Sequence, residues 1–449
     1  MIGEPMSQDT QPSEPSEPNE PNEPAAKTAP TGTLFRTLVS FVRNYGLAFL
    51  FVSTGLALTL LIRIKALDYI GGDMKNGFLV WCADIENKGF AKGLIGGDCN
   101  YNPAYVYVLW FATKLPFNRA LVIKAFTILC DYVCAAALAW VVFRVCRSKL
   151  RAMLMALALL IGPTVVFNGA LWGQCDMVYT APLALALAAR LERRYYLAAA
   201  LFGLAISVKL QAVFLFPLLG IWVIRRELPL RAILMVPATF LAALVPAWLA
   251  GCSWVDLLMI YPRQAGQYSG LTLNAPTIFG LLPDEEAWFG PFGFWFAVAA
   301  VFMMFVACLY ARARTTATVV VREAIVFASL APFLLPHMHE RYLFVADVLS
   351  VVYAFVFPRR LWIAIAVIAA SLVGYASFLF NKTPISLTVA SAMMGLAVVV
   401  LAVDLLRHHY PRAFRFPQDG DEEALVPDSE ETVGFPQHPH TGGKGMATA

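Results

Sequence analysis

Three features of this chain have residue types and spacing that could do chemistry. Two glycine pairs each precede an aspartate, Gly71-Gly72-Asp73 and Gly96-Gly97-Asp98. Glycine lets backbone take φ > 0 and approach a ligand closely, and a carboxylate held beside such backbone suits a general base. The heptad Pro336-His337-Met338-His339-Glu340-Arg341-Tyr342 sets four ionisable groups side by side between two apolar runs. An arginine fork beside histidines fits phosphate recognition. His337, His339 and Glu340 also invite a zinc reading, but the i, i+2 histidines do not match the HExxH pattern, which puts two histidines on one helical face. Lys209, in ISVKLQAVF, is the lone charge for about fifteen residues either side. An ammonium in such surroundings costs about 2.5–3.5 kcal/mol on insertion scales unless it snorkels to the surface, where it could face a phosphate at headgroup level.

Further polar residues interrupt apolar sequence. Asn168, Trp172, Gln174 and Asp176 form the turn NGALWGQCD, and Asp176 near a helix N-terminus is favoured by the helix dipole. The segment after residue 251 carries Arg263, Gln264, Tyr268 and Asn274 among Tyr, Gln and Thr. These groups hydrogen-bond and stack on sugars, and Arg263 adds a second phosphate fork. Asp131 lies inside an apolar run, with Lys124 two turns away on roughly the same face but too far for direct pairing. The expectation for Asp131 is a buried polar interaction between helices.

The elements that must position these groups are membrane helices. Of 449 residues, 59% are hydrophobic and 14% charged, against about 25% charged in soluble proteins. Apolar runs of about 15–25 residues recur, the length that crosses about 30 Å of hydrocarbon. The fold class is all-α and polytopic, with about twelve crossings expected from hydropathy. An outer-membrane barrel is excluded, since its strands would alternate polar and apolar. No basic patch interleaved with aromatics points to nucleic acid. Residues 1–40 read as a disordered acidic tail, SEPSEPNEPNEP lacking the basic region of a signal peptide. Residues 41–410 read as the membrane domain and 411–449 as a second disordered tail.

Alternate connections carry the arginines: Arg144 to Arg151, Arg190 to Arg194, Arg225 to Arg231, Arg312 to Arg322, Arg359 and Arg360, and Arg407 onwards. The positive-inside rule places these, and both termini, in the cytoplasm. The unusual polar residues then fall on the opposite face. Within the long first outer loop, GFLVWCADIENKGF has the spacing of an interfacial amphipathic helix, with Trp81 at headgroup level. Cys82 and Cys99 share that loop and could pair in an oxidising compartment; the other cysteines read mostly as small core residues.

In order, the chain reads Gly72-Asp73, Asn100-Tyr101-Asn102-Pro103-Ala104-Tyr105, Trp172-Gly173-Gln174-Cys175-Asp176, Lys209-Leu210-Gln211, Gln264-Ala265-Gly266-Gln267-Tyr268, Leu271 to Pro276, and the heptad. This succession resembles the membrane GT-C glycosyltransferases that use polyprenyl-phosphate sugars, and among them the bacterial group similar to the second GPI mannosyltransferase. The likeness spans about residues 45–380. It departs at Pro103-Ala104, where the group often has Pro-Pro. The resemblance implies inverting transfer of a hexose, mannose being the group's namesake, to an extracytoplasmic glycan, glycolipid or lipid-linked acceptor at the bacterial inner membrane. It makes Asp73 the catalytic base. Donor and substrate contacts fall to Lys209, Gln211, His337, His339, Glu340, Arg341, Arg263, Trp172, Gln174, Asp176, Asn100, Tyr101, Gln264, Tyr268 and Asn274. No cofactor is expected, and no nucleotide, since no Gly-rich phosphate loop is present. A transporter or flippase for a lipid-linked sugar is the rival reading; it calls for midplane ion sites or inverted repeats.

Overall fold

A computed structural model describes residues 31–96, 99–264, 269–283, 286–311 and 315–414. Residues 31–54 and the chain from Gly55 onwards form separate compact units. Nearly every element is helical. α1 spans Thr31–Ala66, so it begins ahead of the boundary expected at residue 40. Met74–Phe78 is a π-helical turn, followed by α2 (Leu79–Lys88), α3 (Phe90–Ile95) and α4 (Pro103–Lys114). Then come α5 (Arg119–Cys146), α6 (Lys149–Ile161) and α7 (Pro163–Val166). A second π turn, Phe167–Trp172, leads to α8 (Asp176–Leu191) and α9 (Tyr195–Val208). α10 (Phe216–Ile224), α11 (Met235–Leu249), α12 (Trp254–Leu258) and α13 (Ile260–Gln264) follow. The last five are α14 (Glu286–Tyr310), α15 (Ala317–Leu334), α16 (Phe344–Val356), α17 (Leu361–Phe380) and α18 (Leu387–His409).

The sequence starts these helices with side-chain caps. Asn118 accepts from the N–H groups of Ala120 and Leu121, Ser148 from Arg151, Thr316 from Val319 and Ser386 from Val389. Each satisfies a donor that has no carbonyl one turn back. Small residues then let helix backbones approach. α8 and α9 are Ala-rich and pack together, and α9 packs on α11. A Cβ on Gly203 would lie 2.5 Å from the carbonyl oxygen of Val236, so only glycine fits that contact.

Among the described residues, seven helices are long and apolar enough to cross a membrane, or eight if α6 and the α7–π segment, bent by 50° at Gly162-Pro163, count as one span. That makes an all-α, multi-pass membrane protein with fewer spans by length than the twelve expected. α8, α9 and α16 have 16, 14 and 13 residues. At 1.5 Å per residue they reach only about 20–24 Å, short of the hydrocarbon thickness. Most of α8 is buried on every face, so its apolar run reflects a core position.

Two smaller expectations change. Trp81 is buried, its ring 5.5 Å from Phe78 and 5.2 Å from Tyr101, so it belongs to the protein core and not to a headgroup layer. Cys82 and Cys99 are free thiols. The expected tails lie outside the described residues, apart from the helical start of α1 and a 3-10 turn at Pro411–Phe414.

The strands are two residues each. β1 (Thr272–Leu273) runs parallel to β2 (Met338–His339), pairing Thr272 with Met338 and Leu273 with His339. Asn274 bridges to His339 beyond them. This ladder ties the segment before α14 to the heptad.

Candidate functional site

Asp73 is positioned from the end of α1. Lys124 of α5 donates from Nζ to the carbonyls of Ala66 (3.2 Å), Leu67 (3.0 Å) and Tyr69 (2.6 Å). A cation on carbonyls freed at a helix C-terminus complements the helix dipole, and it fixes the path that leads into Gly71-Gly72. Asp73 then directly precedes the π turn Met74–Phe78, its side chain left free of any capping bond to that turn. A Cβ on Gly72 would meet nothing within 4 Å, and the Asp73 side chain is 30% exposed. The carboxylate is therefore anchored but reachable.

The second contribution comes from the broken span. The π turn Phe167–Trp172 ends at Gly173, whose φ of 76° is left-handed. π turns recur at functional sites because they aim side chains that a regular helix would misdirect. Here the turn sends Gln174 Nε2 to Asp73 Oδ2 at 2.6 Å. Asp176 opens α8, where the dipole favours its charge. It is fully buried and accepts from Asn168 Nδ2 at 2.8 Å. Asn168 also reaches the hydroxyl of Tyr375 at 3.3 Å.

Lys209 sits at the extended break between α9 and a 3-10 turn. It is 4% exposed, and its Nζ lies 2.5 Å from Asp176 Oδ1. The rings of Tyr101, Tyr179 and Tyr342 surround the ammonium at 5.4–5.9 Å. Snorkelling is thus replaced by a buried ion pair. Lys209 braces Asp176.

The heptad supplies the third side. His337 takes a φ of 60°, its N–H donates to the carbonyl of Leu271 (2.9 Å), and Nδ1 lies 2.8 Å from the carbonyl oxygen of Gly270. The N–H of Glu340 donates to Leu273 (3.0 Å). The His339 ring rests 5.1 Å from that of Tyr342, with Nδ1 3.8 Å from Glu340. These bonds aim Arg341 inward. Its Nη1 is 2.9 Å from Glu340 and 3.5 Å from Asp73, its Nε is 3.9 Å from Asp176, and its guanidinium lies 5.2 Å above the Trp172 ring. Trp172 is in turn stacked on Phe378 at 4.8 Å.

The structure thus gathers Asp73, Trp172, Gln174, Asp176, Lys209, Glu340 and Arg341 into one linked cluster. Tyr101 is buried beside it with Phe78, Trp81 and Tyr105. Burial pushes its hydroxyl well above the ordinary range, so it is a proton-bearing donor and not a phenolate. Gln211 is buried in the turn after Lys209, and its Oε1 has no hydrogen-bond partner. Asn100 precedes Tyr101, half-buried. Asn274 is exposed, with a φ of 57°, next to His339.

Two expected residues stand apart. Arg263 is 55% exposed and pairs at 2.8 Å with Asp256, which also accepts from Ser253. That partner lies seven residues earlier, in the preceding short helix. Gln264 closes the same short helix. Tyr268 and Asp98 lie outside the described residues.

Sequence reasoning missed Arg63. It pairs with Asp131 at 2.8 Å, both fully buried, and also donates to the carbonyl of Leu160 at 2.8 Å. The expected interhelical role of Asp131 therefore stands, with α1 as partner. A basic residue in the last turn of a membrane helix reads as an interface anchor, which hides such a role. Lys124 was noticed, but nothing in sequence marks its three carbonyl partners.

No protein-family model matches the chain, and no curated protein matches it either.

Proposed function

We propose that this protein is an inverting hexosyltransferase that uses a polyprenyl-phosphate sugar donor. Asp73 acts as base and Arg341 as the contact for the leaving phosphate. The observation that carries the reading is the meeting, at one reachable carboxylate, of residues from three distant stretches. Asp73 accepts from Gln174 at 2.6 Å and faces Arg341 at 3.5 Å. The acceptor hydroxyl oxygen attacks the anomeric carbon as Asp73 takes its proton. The electron pair of the breaking C–O bond leaves with the polyprenyl phosphate. Arg341 has five N–H donors in a planar fork, enough to hold its carboxylates and still meet a phosphate. Behind it, the Asp176–Lys209 pair and the Trp172 face keep the guanidinium in place. The lipid chain of the donor lies in the bilayer, the sugar is a hexose of the mannose type, and the reaction runs on the extracytoplasmic face of a bacterial inner membrane with both termini cytoplasmic.

The test is transfer from a panel of radiolabelled short-chain polyprenyl-phosphate hexoses into membrane extracts, wild type against Asp73→Asn at equal expression. Loss of the base lowers the rate by about 10²–10⁴-fold. Transfer by Asp73→Asn at the wild-type rate would remove Asp73 from the mechanism. Absence of transfer by wild type from every donor would reject the donor class and bring forward lipid-linked-sugar transport.

A further inference from the structure

At another place in the fold, three ligand-type side chains converge. Cys308 lies in the last turn of α14, Glu323 in the second turn of α15, and His409 is the final residue of α18. All three are buried, and one donor atom from each lies within 4.8 Å of the others. Neither carboxylate oxygen of Glu323 and neither ring nitrogen of His409 has a hydrogen-bond partner. His409 Nε2 stands 3.5 Å from Glu323 Oε1, and Arg225 Nη1 stands 3.6 Å from the same oxygen. Both separations exceed a hydrogen bond. Buried polar groups are almost always satisfied, so four unsatisfied atoms on two neighbouring side chains call for a partner.

We propose that Cys308, Glu323 and His409 bind one divalent transition-metal ion of the zinc class. A thiolate, an imidazole and a carboxylate form a set that zinc takes, whereas magnesium and calcium want oxygen alone. Thiolate and carboxylate carry two negative charges, only one of which Arg225 opposes, so a divalent ion removes the excess negative charge within an apolar interior. Arg225 is engaged on its own account, with Nη1 2.9 Å from Thr315 Oγ1 and Nη2 donating to the Cys308 carbonyl. It stands behind the Glu323 carboxylate, where an outer donor orients a ligand. Zinc bonds of about 2.0–2.3 Å put tetrahedral donors about 3.3–3.8 Å apart. Closing from 4.8 Å therefore needs about 1 Å of movement, within reach of side-chain rotation. The ion would staple the ends of α14 and α18 to the start of α15. Sequence spacing conceals the site, because the ligands come from three separate helices and form no short metal motif.

The test uses the full chain purified in detergent, with any affinity tag removed, and cobalt(II) as the probe. The expected result is one ion per chain with a thiolate-to-cobalt charge-transfer band and the intense visible bands of a four-coordinate site. Cys308→Ser, nearly isosteric, should abolish the charge-transfer band. It should also weaken cobalt binding by about a hundredfold or more, at least what loss of an outer partner costs. His409→Gln should weaken binding while leaving a thiolate band. Zinc should raise the thermal midpoint of wild type and leave that of Cys308→Ser unmoved. Wild type showing no thiolate band at saturating cobalt overturns the proposal whatever the variants do. So does a thiolate band unchanged by Cys308→Ser, which would assign the metal to another cysteine.

Discussion

Lys209 and Asp176 offer a measurement that separates a brace from a phosphate ligand. Their charges are 2.5 Å apart at 4% and 0% side-chain exposure. With an effective dielectric of about 20 the gross attraction is about 6–7 kcal/mol, most of it offset by desolvation. Removing one partner strands the other, which costs about 3–5 kcal/mol. The structure also ranks the two losses. Without Lys209, Asp176 keeps the Asn168 amide at 2.8 Å and Arg341 at 3.9 Å. Without Asp176, Lys209 keeps, among the described residues, aromatic faces at 5.4–5.9 Å. Asp176→Leu should therefore lie near the upper end of that range and Lys209→Met near the lower. The double variant, with neither charge, should recover at least about 2 kcal/mol over Asp176→Leu. The assay is equilibrium unfolding in mixed detergent, followed by tryptophan fluorescence. Both single variants within about 0.5 kcal/mol of wild type, as for an exposed pair, would refute the brace, and so would a double variant no better than the worse single. If Lys209 instead held a donor phosphate, Lys209→Met would raise KM at unchanged stability.

Other outcomes follow from the same geometry. Gly374→Ala would put a Cβ 2.4 Å from the carbonyl oxygen of Asn274 and 3.0 Å from Cβ of Glu340. It should cost about 1–3 kcal/mol as overpacking and lower transfer by displacing Arg341, both read on the purified variant. Lys124→Met should free the carbonyls of Ala66, Leu67 and Tyr69. The expected signature is faster backbone hydrogen exchange over residues 64–75 together with reduced transfer. Burial pushes the Cys82 thiol up to about 11 and that of Cys99 up to about 12, from 9.0. A raised pKa leaves less thiolate at pH 8, so alkylation of either should run about a hundredfold or more slower than for an exposed cysteine and speed up as pH rises towards those values.

Much of the cluster was legible because its residues break rules that membrane helices keep. Asp73 after two glycines, Asp176 after a Trp-Gly-Gln turn and Lys209 within apolar sequence each carry a cost that calls for a partner. What sequence did not show is which groups answer which. Lys209 looks the same whether it snorkels or pairs, and only the fold brings Asp176 to it. Arg63 was hidden by its place in a helix end. The count of twelve spans is unconfirmed for a related reason. α9, α16 and the Leu210–Ile224 segment are as apolar as crossing helices, and length alone separates them. The β1–β2 ladder had no signal, since two residues cannot display an alternating pattern. Arg263 had the right chemistry, but Asp256 in the preceding short helix claims it.

That ladder has a consequence for transplantation. The heptad does not set its own geometry: Leu271, Leu273 and Asn274 hold His337, Glu340 and His339 from far upstream. Because side chains alternate along a strand, a single-residue insertion in either partner would turn every one of them to the opposite side. The heptad is therefore half of a two-part cassette. Grafted into another scaffold it would keep its residues and lose its aim unless residues 270–274 travelled with it.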